Sequence, residues 1–202
     1  MEDGAIKLSS NNFLVRTQTL FADRGVAVAV VDAPSDQSNG MSDEFRTGDQ
    51  HISDIRAVVT DLAKRFPGSP VFLIGTSRGT LSAAYAGRAL GKDVGGTALT
   101  SAIYTTAGKR PGPVLSGFNF GAGASPVLIV HHREDACRVT PYSEARRLAE
   151  KYPPLVSVSG GKPPESDPCE ALSAHGYLGK EEETVEAIVN WMLKKPYNKD
   201  IN

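Results

Sequence analysis

Several things are scarce in this sequence. It has two cysteines, Cys137 and Cys169, in 202 residues, so one disulfide at most is available, and no zinc-ligand spacing appears. Neither sign of charge dominates: 22 Lys and Arg stand against 23 Asp and Glu, a net charge of -1. That balance predicts no nucleic-acid partner and no attraction to an anionic membrane. No apolar run approaches the roughly 20 residues that cross a bilayer, so no membrane insertion is expected. The opening MEDGAIKLSSNN has no basic segment followed by an apolar one, so no signal peptide is visible. Repeats, heptads and low-complexity blocks are absent too. What is present is a globular composition, 40% hydrophobic and 22% charged. The length suits a single domain, 1–202, with a sizeable core.

The chain alternates two kinds of segment. VAVAVVDAP (26–34), PVFLIGTS (70–77), GGTALTSA (95–102) and SPVLIVHH (125–132) are short, continuous apolar runs. Such runs suit strands buried on both faces of a parallel sheet. PLVSVSGG (154–161) is a weaker fifth candidate. Between them lie helical patterns at 11–25, 52–69, 78–90, 140–152 and 181–195. The second repeats Ile52, Ile55, Val58, Val59, Leu62 and Phe66 at helical period. The last opens on Glu181, Glu182 and Glu183 and closes on Lys194 and Lys195, which complements the helix dipole. This alternation predicts an α/β fold: a three-layer sandwich around a mostly parallel sheet.

One strand ends unusually. LIGTSRG (73–79) places Ser77 between Gly75 and Gly79, two residues away on each side. Glycine tolerates the sharp turn and close approach that let a serine project its hydroxyl. Ser77 then sits at the carboxyl edge of a strand, where α/β sheets bind ligands. A helix starts at Arg78, and its free N–H groups favour negative charge at the same place.

A serine needs a base. Of the four histidines, His51 opens an amphipathic helix, where a surface or capping role is expected. His131 and His132 end a strand and point to opposite faces. His175 stands in SAHGYLG, a small loop before the last helix, and is the better base. Asp135, in HHREDACRV, lies just past a strand end and is the expected orienting carboxylate. Glu134 and Asp167 compete for that role.

The order Ser77, Asp135, His175, together with GTSRG, PVLIVHHREDACRVTP and AHGYLG before VEAIVNWML, resembles the α/β-hydrolase family, in its small lidless serine esterase or lipase type. The resemblance runs from Ser10 to Leu193. It implies a catalytic triad of Ser77, His175 and Asp135, an oxyanion donor at the Arg78 N–H, and no metal or organic cofactor. It also implies strands ahead of residue 11, one of them central and ending in a glycine-rich loop that supplies a second oxyanion donor. These N-terminal strands are expected to be missing or shortened, which leaves the backbone near Gly4 or Ala5 as the second donor. Where the family usually inserts a lid, IYTTAGKRPGPVLSGFNFGAG (103–123) is short and rich in Gly and Pro, so no lid domain is expected. Tyr104, Phe118 and Phe120 are candidate pocket walls, with Met41 on another side.

The expected activity is hydrolysis of small-molecule or polymeric carboxylic esters through an acyl-enzyme. Thioester, amide or peptide cleavage, or binding without catalysis, are the alternatives. If Asp135 and His175 meet, their loops run side by side and bring Cys137 and Cys169 within disulfide range. A bridge there implies a periplasmic or secreted protein; two free thiols imply a cytoplasmic one.

Overall fold

The structure, a computed structural model, describes residues 11–108 and 112–202. Five strands form one sheet in the order β1-β2-β3-β4-β5: β1 Phe72–Thr76, β2 Gly96–Thr100, β3 Val127–His132, β4 Leu155–Val158 and β5 Asp200–Ile201. All neighbouring pairs are parallel. β2 and β3 are buried along their whole length, as continuous apolar runs in the middle of a covered sheet should be.

Seven α-helices accompany the sheet among the described residues: α1 Phe13–Arg16, α2 Gln18–Ala22, α3 Asp43–Thr47, α4 Asp49–Arg65, α5 Gly79–Leu90, α6 Tyr142–Lys151 and α7 Glu181–Met192. Side-chain alternation along the strands divides the core. Leu99 and Ile129 pack with Leu81, Ala84, Ala145 and Leu148 of α5 and α6 on one face. Ala98, Leu128 and Val130 pack with Phe13, Phe21, Val185 and Ile188 of α1, α2 and α7 on the other. The three-layer α/β arrangement expected from the sequence is therefore present. The segment between β2 and β3 contains no helix among its described residues.

Two expectations are corrected here. Residues 26–34 are not a strand: they pair with no strand among the described residues, and Val28, Val30 and Val31 are 43%, 40% and 49% exposed. A valine-rich run becomes a strand only when neighbours accept its backbone hydrogen bonds, and here β1 pairs only with β2 among the described residues. The sequence reading also missed β5, two residues that dock beside β4.

His51 is the second correction. It is buried, not a surface or capping residue, and it packs on Phe45 with ring centroids 5.4 Å apart. Neither ring nitrogen has a hydrogen-bond partner among the described residues. Burial lowers its pKa below the ordinary 6.5, and the nearby Arg46 charge lowers it further, against an opposing pull from Asp54. Burial lowers the pKa of His132 in the same way. Each therefore takes up its proton at a lower pH in the folded chain than in the unfolded chain. Their contribution to stability is complete above the ordinary histidine pKa of 6.5 and is lost as the pH falls from there through the folded values. The melting temperature should therefore fall as pH drops below neutrality, and less steeply in His51→Leu. Parallel curves for the two proteins would refute the assignment to His51.

Candidate active site

β1 ends at Thr76, and Ser77 turns the chain into α5. Ser77 has φ 51°, in the left-handed region that a serine seldom adopts. Such a residue costs about 1–3 kcal/mol and persists only where its surroundings impose it. Here they do. The Ser77 N–H donates to Thr100 O at 3.1 Å, and Ser77 O accepts from the Thr80 N–H and hydroxyl at 2.9 and 2.6 Å. A side chain at position 75 would collide with the backbone of Gly79 and Thr80, so strand and helix approach this closely only with Gly75 between them. The Arg78 side chain pairs with Asp43 of α3. Its N–H makes no hydrogen bond among the described residues.

Asp135 lies in the turn after β3, with its side chain fully buried. Its Oδ1 accepts from the Cys137 N–H at 2.9 Å, and its Oδ2 accepts from the Thr140 hydroxyl at 2.9 Å. The His175 Nδ1–H donates to the same Oδ2 at 3.0 Å. Burial alone would raise the Asp135 pKa. The imidazole N–H groups of His131 and His175, the His175 charge and the Cys137 N–H outweigh it and hold the carboxyl well below its ordinary range. The carboxylate therefore stays ionised into the acidic range.

His175 sits in a single turn, Ala174–Gly176, and the backbone around it is tied down. Its N–H donates to Ser173 Oγ at 3.2 Å, and its carbonyl accepts from Ser101 Oγ at 2.7 Å. Tyr177, φ 61°, accepts from the Ser101 N–H at 3.0 Å through its hydroxyl, which donates to Val130 O at 2.9 Å. A side chain at position 176 would collide with Ala171. With Nδ1 on Asp135, the other nitrogen, Nε2, is buried and without a partner among the described residues.

Ser77 and His175 line one cavity of about 380 Å³, together with Asn11, Asn12, Phe13, Thr76, Ser166, Cys169, Glu170, Ala171, Leu172 and Gly176. Its walls differ from those expected. Tyr104 and Phe118 are core residues, 1% and 7% exposed, and do not line it. Phe118 stacks instead between Tyr85 and Phe120, at centroid distances of 5.0 and 4.9 Å. Met41 is half-buried and also outside the cavity. Aromatic residues close to a strand end in sequence were taken by the core, where large rings bury most surface. Gly4 and Ala5 lie outside the described residues. The competing carboxylates are elsewhere: Glu134 Oε2 lies 3.2 Å from His132 Nδ1, and the exposed Asp167 makes no ion pair among the described residues. No group of three or more His, Cys, Asp or Glu among the described residues is arranged to hold a metal ion.

Cys137 and Cys169 form a disulfide, with Cα atoms 4.6 Å apart. It joins the turn carrying Asp135 to the loop that carries Ser166, Glu170 and Leu172 into the cavity wall. No helix among the described residues is long and apolar enough to cross a membrane.

Residues 10–157 match the model of the family described as serine aminopeptidase, S33. No curated protein matches the chain. Among solved structures, a variant of PytH is similar over 90% of this chain and 92% of its own, at 17% identity and TM-score 0.55. Est1E from Butyrivibrio proteoclasticus is similar over 71% of this chain and 68% of its own, at 20% identity and TM-score 0.48. A monoacylglycerol lipase from Paleococcus ferrophilus is similar over 72% and 74%, at 15% identity and TM-score 0.45. The residues matched by the family model span β1, the Ser77 turn, α5, β2, β3 and most of β4. The chain belongs to the serine aminopeptidase S33 family, with the fold of the α/β-hydrolases.

Proposed function

We propose that this hydrolase cleaves carboxylic esters through an acyl-enzyme intermediate on Ser77. His175 takes the Ser77 proton through Nε2 as the hydroxyl attacks the ester carbonyl. Asp135, ionised and bound to Nδ1, holds the imidazole in the tautomer that leaves Nε2 free and stabilises the imidazolium as it forms. The Arg78 N–H, at the start of α5, donates to the developing oxyanion. His175 then protonates the leaving alcohol and activates the water that releases the acid.

The observation that carries this reading is the state of His175. Its Nδ1 is engaged by a buried carboxylate, while Nε2 has no partner among the described residues, at a cavity that His175 shares with a strained serine. A fluorophosphonate probe tests it, because such probes react only with an activated serine. The expected result is one adduct, on Ser77. An unlabelled native protein would mean that the scaffold binds without catalysing.

Cleavage of an aminoacyl amide is a second reading. The family description favours it, and so does Glu170, the one formally charged side chain among the cavity-lining residues apart from the titratable His175. Comparing an aryl ester with an aminoacyl anilide separates the two. The Cys137–Cys169 bridge supports residence in an oxidising compartment, the periplasm or outside the cell. Small soluble esters, and the ends of polyester chains, suit a cavity beside which the described residues between β2 and β3 form no helix.

A further inference from the structure

Thr140 is fully buried beside the Asp135–His175 pair, and the mechanism above does not use it. Its hydroxyl has one proton and three acceptors or neighbours in reach: Asp135 Oδ2 at 2.9 Å, Cys137 O at 3.3 Å and His175 Nδ1 at 3.3 Å. Nδ1 carries its own proton toward Asp135, so it accepts nothing. The ionised carboxylate is both the nearest and the strongest acceptor. The hydroxyl therefore donates to the same oxygen that receives the His175 Nδ1–H.

The backbone of Thr140 is fixed in turn. Its carbonyl accepts from His131 Nε2 at 2.8 Å, which assigns the Nε2–H tautomer to His131. His131 is fully buried in β3, and its Nδ1 has no partner among the described residues. His131 Nε2 also lies 3.5 Å from Asp135 Oδ2, too far for a good hydrogen bond but close enough for its N–H dipole to act there. The rings of Tyr104 and Tyr142 flank His131 at 5.9 and 6.1 Å.

We propose that Thr140 is a positioning residue for the Asp135–His175 pair, held in place by His131. Its hydroxyl fixes the rotation of the Asp135 carboxylate, so that Oδ2 meets Nδ1. It also takes up part of the carboxylate's charge and so limits how far Asp135 raises the basicity of His175. This inference rests on the reading of Ser77, His175 and Asp135 as a catalytic triad.

The test compares Thr140→Val and Thr140→Ala, which lack the hydroxyl, with Thr140→Ser, which keeps it. The readouts are hydrolysis of para-nitrophenyl acetate and the rate of fluorophosphonate labelling, each across pH. Valine and alanine should lower kcat roughly 10- to 100-fold, the size of one lost hydrogen bond to a charged group, with KM little changed. They should also move the acid limb of kcat/KM to higher pH, because the less solvated carboxylate holds the imidazolium proton more tightly. Serine should recover most of the rate and the original limb. A structural role alone would leave the limb in place. If valine fails to fold, alanine carries the comparison. Wild-type kinetics and an unmoved acid limb in the hydroxyl-free variants would overturn the proposal. An unlabelled Ser77 in the wild-type protein would instead overturn the triad on which it rests.

Discussion

Replacing Ser77 with alanine is expected to reduce ester turnover to background, a loss on the order of a million-fold, with the fold left standing. The two halves of this expectation have separate grounds. The loss follows because no other side chain would attack in its place: the remaining hydroxyls lining the cavity belong to Thr76 and Ser166, neither of which occupies the turn into α5. The intact fold follows because the Ser77 hydroxyl makes no hydrogen bond among the described residues, whereas its backbone N–H and carbonyl make three. Alanine keeps those backbone bonds. A melting temperature within a few degrees of wild type, together with lost turnover and lost fluorophosphonate labelling, is the expected result. Retained activity on a simple aryl ester would show that Ser77 is not the nucleophile.

The second large effect concerns the Cys137–Cys169 bridge. It spans a sequence separation of 32 residues, and chain-entropy reasoning puts a cross-link of this span at roughly 3–4 kcal/mol. For a domain of this size that corresponds to a fall in melting temperature of about 6–16 °C on reduction or in the double Cys→Ser variant. Activity should fall as well. The Cys137 N–H holds Asp135 Oδ1, and Cys169 is part of the cavity wall, so loosening either end disturbs the acid or the pocket. Titration of the denatured, unreduced protein should find no free thiol. Two free thiols would overturn the bridge and the inference of an oxidising compartment, and would leave the reading of Ser77, Asp135 and His175 untouched.

How much of this was legible beforehand depends on the range of the forces involved. The four strands at 72–76, 96–100, 127–132 and 155–158 were readable because each is a short apolar run between turn residues. The turn at Ser77 was readable because flanking glycines are a local requirement: a Cβ at Gly75 has nowhere to go. Asp135 and His175 could be nominated from their positions past a strand and before a helix. Their juxtaposition implied that the two cysteines lie close, and the bridge is present.

The rest was settled by contacts between distant segments. Residues 26–34 have as strong a strand pattern as any, yet form no strand and are exposed from 27 to 32, because a strand is made by its neighbours and not by its own side chains. His51 reads as a surface residue from the polar helix around it. The packing of Phe45 against it buries an imidazole that local sequence had no means to hide. Tyr104 and Phe118 are apolar enough for either a pocket or a core, and only the close packing of Tyr85, Phe120 and Leu115 assigned them to the core. The walls facing it come from residues 11–13, 166 and 169–172, which are remote from Ser77 in sequence and meet it only when α1 and the bridged loop close over the end of β1. Periodicity and turn chemistry act over a few residues and can be read along the chain. Pairing, burial and the shape of a cavity depend on which segments share a boundary, and that exists only once the chain has folded.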